Sequence, residues 1–201
     1  ENPNFNNKYD LETKMLKKIM EYLKHIIDFV DPQERVYIAI DGVAPIAKIK
    51  QQRLRRYKSA KDKYFFEKIK RKHNKEITKF WTNSAITPGT EFMERITNCI
   101  KKHISEGYFE NRKIIFSSAN TPSEGEHKLL QYIRKKSNND SSYVIYGLDA
   151  DLIFLALSAN IKDIFLVREA NQMNNKSTEE LQFVSIDTLK KCIMQEVNDL
   201  L

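Results

Sequence analysis

Five acidic residues lie at or shortly after the ends of three short apolar runs, VYIAI (36–40), KIIFS (113–117) and YVIYG (143–147). The acids are Asp41, Glu124, Glu126, Asp149 and Asp151. Converging carboxylates repel each other unless a cation lies among them, and Mg²⁺ prefers oxygen ligands. Two such ions about 4 Å apart activate a water and stabilise the leaving oxygen of a phosphodiester. The acids therefore predict a two-metal nuclease site.

Each acid also has an ordinary structural explanation. Glu124 lies three residues after Thr121, and Glu126 lies three residues after Ser123, which is the spacing of a capping box. The three aspartates suit N-cap or turn positions. These explanations apply one residue at a time and leave the common position of all five acids unexplained. We therefore favour the metal site for the set.

The positive charge of the chain is concentrated in one stretch. The net charge is +7, yet residues 41–80 hold fourteen Lys+Arg and four Asp+Glu, so the remainder is slightly acidic. This concentration favours a polyanionic partner. Four residues recur at i, i+4, i+7 and i+8 and share one helical face; they are Lys48, Gln52, Arg55 and Arg56. Such side chains suit a phosphate pocket, and a terminal phosphate held there would lie beside the metals.

The rest of the basic stretch has plainer explanations. For the distal lysines we favour a solvated helical face or loose attraction to a nucleic-acid backbone; they are Lys61, Lys63, Lys68, Lys70 and Lys72. Interleaved aromatic residues suit either base stacking or core packing, and we favour packing; they are Tyr57, Tyr64, Phe65, Phe66, Phe80 and Trp81.

Strands alternate with helices along the chain, which predicts an α/β domain with a mainly parallel sheet flanked by helices. A fourth strand is predicted at DIFLV (163–167). Thr87 and Pro88 suit the N-cap and first position of a helix. Helices are predicted over 11–29, 45–72, 87–105, 122–135, 148–157 and 185–200. Binding sites of parallel sheets lie at the carboxyl ends of strands, where the acids fall.

Several stretches resemble the 5′→3′ exoribonucleases of the XRN family. They are IAIDGVAPIAKIKQQRLRRYKSAKD (38–62), ITPGTEFM (86–93), PSEGEHKLLQYIR (122–134), YGLDADLIFLAL (146–157) and, more weakly, FLVRE (165–169). The matches are ordered and spread over most of the chain, which makes them far more specific than one short motif.

The resemblance implies a PIN-like core related to flap nucleases, with two Mg²⁺ or Mn²⁺ ions. It also implies RNA degradation, including mRNA decay, by release of nucleoside monophosphates from single-stranded RNA that carries a 5′-monophosphate. The metal-binding acids of the family fall on Asp41, Glu124, Glu126, Asp149 and Asp151. Its 5′-phosphate pocket falls on Lys48, Gln52, Arg55 and Arg56.

The chain departs from the family pattern in places. Ser123 stands where glycine is usual, and Ile46 stands where arginine is frequent. The opening segment of the family, with another metal-binding aspartate and a stacking histidine, has no match before Leu11. A later aspartate and a stacking aromatic residue are also absent. We therefore expect residues 1–201 to be a single, partial nuclease domain with weak or no activity in isolation.

Two rival functions stay open beside a 5′→3′ exoribonuclease. One is a structure-specific 5′ flap DNA nuclease, which the unbroken basic helix beside Asp41 disfavours. The other is a non-catalytic RNA-binding scaffold, which would not need a repulsive cluster of five acids. Comparing activity on 5′-phosphorylated single-stranded RNA with activity on a DNA flap distinguishes an exoribonuclease from a flap nuclease. Binding of Mg²⁺ distinguishes an exoribonuclease from a scaffold.

The composition excludes other classes. No apolar run approaches the roughly 18 residues of a membrane span, and no signal peptide is recognisable. Cys99 and Cys192 are far apart, which is typical of reduced, partly buried cysteines in an intracellular protein, nuclear or cytoplasmic. The histidines are scattered, which disfavours a zinc site; they are His25, His73, His103 and His127.

Overall fold

The structure is a computed structural model of a mixed α/β protein, and it describes residues 8–75, 81–110, 112–136, 140–147, 149–170 and 180–200. The chain divides into two compact units, Glu1–Gly125 and Glu126–Leu201.

The first unit contains helices α1 (Lys8–Val30), α2 (Ile46–Lys72) and α3 (Glu91–Ser105), a 3₁₀ turn (Asn83–Ala85), and strands β1 (Val36–Ala39) and β2 (Ile114–Ser117). The two strands pair in parallel, with Val36 opposite Ile114 and Ala39 opposite Ser117. This pairing confirms that β1 and β2 end at the same edge of a sheet.

The core of the first unit lies between α1 and α3. The apolar positions of both helices recur at helical spacing, so each helix has one buried face. Buried residues of this core are Met20, Ile27, Phe92, Met93, Ile96, Ile100, Phe109 and Ala119. Trp81 packs against it, with its ring 5.6 Å from that of Phe92 in an edge-to-face arrangement. Core packing is therefore confirmed for Trp81, whereas Phe80 lies outside the described residues.

Helix α3 begins later than the sequence predicts. Thr90, not Thr87, is its N-cap, and the Thr90 hydroxyl accepts a hydrogen bond from the Met93 N–H at 3.4 Å. Gly89 precedes this cap with φ +87°, a left-handed conformation that no α-helix contains. Thr87 and Pro88 therefore belong to the turn before the helix, and the prediction of a start at Thr87 is wrong.

The second unit contains helices α4 (Gly125–Lys136), α5 (Ala150–Ser158) and α6 (Ile186–Leu200), and strands β3 (Tyr143–Tyr146), β4 (Ile164–Glu169) and β5 (Leu181–Ser185). Strand β4 is central; it pairs in parallel with β3 and antiparallel with β5. The buried core residues are Leu130, Ile133, Ile145, Leu152, Ala156, Ile164, Leu166 and Ile186.

The predicted sheet is therefore only partly as expected. All four predicted strands are present, and parallel pairing is found for β1 with β2 and for β3 with β4. The described strands nevertheless form two small sheets, of two and three strands, instead of one. Strand β5 was not predicted, because its short sequence LQFVS gives only a weak alternating pattern.

The cysteines and the helices add two smaller findings. Cys99 is half-buried, and burial raises the pKa of its thiol, whereas Cys192 is exposed, contrary to the prediction that both are partly buried. Among the described residues, no helix combines the length and the apolar character that a membrane span requires.

Candidate nuclease site

Two loops of the first unit are held together at the carboxyl ends of β1 and β2. The Gly42 N–H donates to the Ser123 carbonyl oxygen at 2.9 Å, and the Ser123 N–H donates to the Val43 carbonyl oxygen at 3.0 Å. These reciprocal hydrogen bonds fix the segment after β1 against the segment that enters α4. The expectation that the acids after β1 and β2 share one edge is thereby supported by contacts on both loops.

Asp41 faces the start of α4. Its Oδ1 atom accepts a hydrogen bond from the Gly125 N–H at 2.6 Å. Gly125 is the first residue of α4, whose N–H groups lack partners within the helix and favour negative charge nearby. A Cβ atom on Gly125 would lie 3.1 Å from Asp41 Oδ1 and 3.4 Å from the Ala39 carbonyl oxygen. The glycine therefore permits the close approach of Asp41 to the helix.

Glu124 is buried, with 9% of its surface exposed, and it forms an ion pair with Lys48. The Lys48 Nζ atom lies 2.6 Å from Glu124 Oε1. Lys48 is in the first turn of α2, so this contact joins the beginning of the predicted phosphate face to a predicted metal ligand. An ammonium group at this distance offsets the charge of a buried carboxylate.

Glu124 and Glu126 flank the first residue of α4. Because the helix begins at Gly125, its third position is His127, and neither glutamate occupies the third position that a capping box requires. An acid in the first turn instead suits the positive end of the helix dipole.

His127 joins these two glutamates as a possible metal ligand. One potential ligand atom from each of the three residues lies within 4.8 Å of the others. All three residues lie on four consecutive positions, so local backbone geometry alone sets this group. His127 was not among the residues predicted for the site, although its position directly after the two acids was the available signal. The two carboxylates suit Mg²⁺ or Mn²⁺, whereas an imidazole is a more usual ligand of zinc, iron, nickel or copper.

Asp149 and Asp151 lie at the start of α5 in the second unit. Asp149 is the N-cap of that helix, and its Oδ1 atom accepts a hydrogen bond from the Asp151 N–H at 3.3 Å. The ordinary N-cap explanation is therefore correct for Asp149. The cap uses one carboxylate oxygen, so it is compatible with binding of a metal ion by the other oxygen. Both side chains are exposed. The convergence of all five acids on one site stays a prediction.

The four predicted phosphate-binding residues lie on one uninterrupted helix, α2, as the sequence predicts. Lys48 and Gln52 are partly buried, and Arg55 and Arg56 are exposed. Ile46, which stands at a position where the XRN pattern often has arginine, is 88% exposed at the first residue of α2. The described structure thus places an exposed basic face directly after the Asp41 loop.

Residues 1–170 match the profile of the XRN 5′-3′ exonuclease N-terminus. This chain belongs to the XRN family. It is 39% identical over 182 residues to 5′-3′ exoribonuclease 1 of Saccharomyces cerevisiae, an alignment that covers 84% of this chain and 12% of that protein. It is 34% identical over 189 residues to 5′-3′ exoribonuclease 2 of Kluyveromyces lactis, which covers 83% of this chain and 19% of that protein.

A third relative is 5′-3′ exoribonuclease 1 of Schizosaccharomyces pombe, which is 37% identical over 170 residues, covering 79% of this chain and 13% of that protein. The XRN chain thus spans less than one fifth of the length of each of these three relatives. Proteins named exoribonuclease 1 and exoribonuclease 2 both match it, so the comparison does not assign it to either.

Proposed function

We propose that the protein is a 5′→3′ exoribonuclease that hydrolyses 5′-monophosphorylated, single-stranded RNA to nucleoside monophosphates. The observation that carries this proposal is the 2.6 Å contact between Lys48 and Glu124. It joins Lys48, the first residue of the basic helical face, to Glu124, one of the predicted metal-binding acids. A 5′-phosphate bound on that face lies beside the acids, which makes cleavage directional. The names of the family relatives agree with this activity.

The five predicted acids fit a pair of Mg²⁺ or Mn²⁺ ions, because all offer carboxylate oxygens. In our proposal Asp41, Glu124, Glu126, Asp149 and Asp151 hold these ions. When bound, such ions activate a water and stabilise the leaving oxygen of a phosphodiester. The hydrogen bond from Gly125 to Asp41 orients the aspartate, and Lys48 lowers the repulsion that Glu124 would feel from neighbouring carboxylates.

The proposed 5′-phosphate pocket consists of Lys48, Gln52, Arg55 and Arg56. The arginines offer paired N–H donors that match phosphate oxygens, and Gln52 adds a neutral donor. We expect the pocket to select a monophosphate, because a cap or a triphosphate is bulkier. Residues 1–201 would then form part of one PIN-like nuclease domain that acts in RNA decay, in the nucleus or the cytoplasm.

Substitution of Arg56 tests the pocket. We expect Arg56→Ala in the full-length protein to reduce the preference for 5′-monophosphate over 5′-hydroxyl RNA by about 10- to 100-fold in kcat/KM, because a charge-assisted hydrogen bond to phosphate contributes about 1.5–3 kcal/mol. Lys50→Ala is the matched control, since Lys50 is a basic residue on the same helix that points away from Lys48. An unchanged preference in Arg56→Ala would contradict the pocket.

The same assay separates the rival functions. A 5′-phosphorylated RNA and a 5′ flap DNA are offered to the wild-type protein in Mg²⁺, and the products are analysed for nucleoside monophosphates. Preference for the flap would favour a DNA nuclease. RNA binding without cleavage, together with no Mg²⁺ binding by calorimetry, would favour a scaffold.

A further inference from the structure

Helix α2 continues well past the proposed 5′-phosphate pocket, and its distal part is exposed. All 27 residues of α2 are described, and none of them is buried. The prediction that the aromatic residues of this stretch pack in the core is therefore wrong for those on α2. Their exposed fractions are 71% for Tyr57, 63% for Tyr64, 48% for Phe65 and 66% for Phe66.

A solvated basic helix does not require exposed aromatic rings. Leaving a ring such as that of Phe66 in water forgoes the stabilisation that burial gives an apolar side chain. Basic side chains interleaved with aromatic rings are instead the composition of surfaces that bind single-stranded nucleic acid, because bases stack on the rings while the cations contact phosphates. The aromatic residues thus indicate a ligand that offers both flat apolar faces and negative charge.

One part of the helix combines these features in a shallow depression of about 500 Å³. We call it the distal α2 surface, and it is lined by Arg55, Lys58, Ser59, Asp62, Lys63 and Phe66. Three cationic residues line the same depression as the Phe66 ring, and Asp62 adds a carboxylate that can accept a hydrogen bond from a base amine or a ribose hydroxyl.

The distal α2 surface continues the proposed phosphate face. Gln52, Ser59 and Phe66 follow Lys48 by 4, 11 and 18 residues, which keeps all four on one side of the helix. Lys48 and Phe66 are about 27 Å apart along the helix axis. A single-stranded substrate can therefore contact both ends of the same stripe, with its 5′ end at Lys48.

The charge of α2 identifies the occupant as a polyanion. Twelve residues of the helix are Lys or Arg and two are Asp or Glu, whereas the rest of the chain is slightly acidic. A protein segment would need a matching density of acids to cover this helix. RNA carries one negative charge per nucleotide and supplies stacking bases at the same time.

We propose that the distal α2 surface is a second RNA-binding site, where a base stacks on Phe66 and phosphates pair with Lys58 and Lys63. This inference rests on the proposed function, since it assigns the site to the same RNA substrate. The site binds nucleotides that are not at the acids, so it contributes to the affinity for long RNA and not to hydrolysis of the shortest substrates.

The test uses the full-length protein in excess EDTA, with a 5′-phosphorylated RNA long enough to follow the helix. We expect Phe66→Ala to raise the Kd for this RNA about tenfold, as removal of one base stack predicts. Phe66→Trp should restore the affinity, and Phe66→Leu should not, because leucine keeps apolar bulk without a π-face. Tyr57→Ala, which removes an equally exposed ring from the opposite side of α2, should leave the Kd unchanged.

A second measurement separates this site from the active site. In Mg²⁺, we expect Phe66→Ala and wild type to hydrolyse a 5′-phosphorylated trinucleotide with equal kcat/KM. Equal Kd values of Phe66→Ala and wild type for the long RNA would overturn the second site while leaving the proposed function intact. Wild-type affinity in Phe66→Leu, or a fall in melting temperature in place of weaker RNA binding, would instead show that a protein segment packs on this face. Failure of wild type to cleave either RNA would count against the proposed function itself.

Discussion

At the scale of single residues, Asp149 caps helix α5, and we propose that it also binds a metal ion. Its Oδ1 atom caps α5 through the Asp151 N–H. We expect Asp149→Asn to keep the helix intact, because asparagine is an equally good N-cap. The neutral amide is a much poorer ligand for Mg²⁺, so turnover should fall about 1,000-fold, the equivalent of several kcal/mol of transition-state stabilisation.

Three measurements on the full-length protein check this expectation: single-turnover cleavage of 5′-phosphorylated RNA, RNA affinity in EDTA, and melting temperature. Only the first should change. Asp140→Asn, a change of the same type at an exposed acid outside the site, should leave all three unchanged. Near-normal turnover in Asp149→Asn would remove Asp149 from the metal site.

Ser123 carries a backbone strain at the edge of the site. Its φ is +94°, in the left-handed region that favours glycine, and hydrogen bonds on both sides hold it there. Such conformations cost a non-glycine residue about 1–3 kcal/mol. Glycine avoids this strain, but its greater conformational entropy in the unfolded state offsets part of the gain in stability. We expect Ser123→Gly to raise the free energy of unfolding by about 1 kcal/mol, measured by chemical denaturation.

Ser123→Ala is the control for this prediction, because it removes the hydroxyl but keeps the Cβ atom. It should give no stabilisation. A gain in Ser123→Ala equal to that in Ser123→Gly would show that the hydroxyl, and not the backbone angle, is unfavourable. The usual glycine of the XRN pattern at this position then has a physical reason, since only glycine adopts the required angle without strain.

At the scale of elements, the β1–α2 and β2–α4 loops depend on close backbone contact. A Cβ atom on Gly42 would lie 1.9 Å from the Thr121 carbonyl oxygen, well inside van der Waals contact. Gly42→Ala must therefore push the two loops apart and displace Asp41 from the Gly125 N–H. We expect it to lower the free energy of unfolding by about 1–3 kcal/mol and to reduce turnover more than RNA binding.

Thermal melting and single-turnover cleavage test this expectation. Val43→Ala is the control in the same loop, because the Val43 side chain is 56% exposed and its carbonyl group, which accepts from Ser123, is retained. It should change stability by less than about 0.5 kcal/mol. If Gly42→Ala were as stable as wild type, the two loops could move apart without lowering the free energy of unfolding. The close contact between them would then not stabilise the fold.

Element boundaries were predictable from sequence where local chemistry decides them. The β-branched runs of β1 and β2 and the long polar helix α2 follow directly from composition and period. Tertiary contacts were not predictable in this way. The ion pair of Lys48 with Glu124 joins residues 76 positions apart, and Phe66 differs from a core phenylalanine only in what packs around it. The start of α3 was missed because the turn at Gly89 overrides the Thr-Pro signal.

At the scale of the whole molecule, the charge is separated instead of dispersed. The chain carries +7 overall, and α2 alone carries twelve basic and two acidic residues. If the concentration of basic residues on α2 serves RNA binding, the affinity for RNA depends on where a lysine lies and not on the net charge of the protein. Lys58→Gln with Lys63→Gln, both exposed on the distal α2 surface, should lower RNA affinity. The pair should also reduce the slope of log K against log salt by about one for each lysine that no longer pairs with a phosphate.

Lys101→Gln with Lys191→Gln is the matched pair, since it removes the same charge from exposed positions on α3 and α6. Kd values for single-stranded RNA, measured in EDTA across a salt series, should separate the two double variants. We expect the α3/α6 pair to bind RNA as wild type does, because neither lysine belongs to the helix that we propose as the RNA-binding surface. Equally weakened RNA binding in both pairs would show that RNA responds to net charge alone, and α2 would then be an ordinary solvated helix.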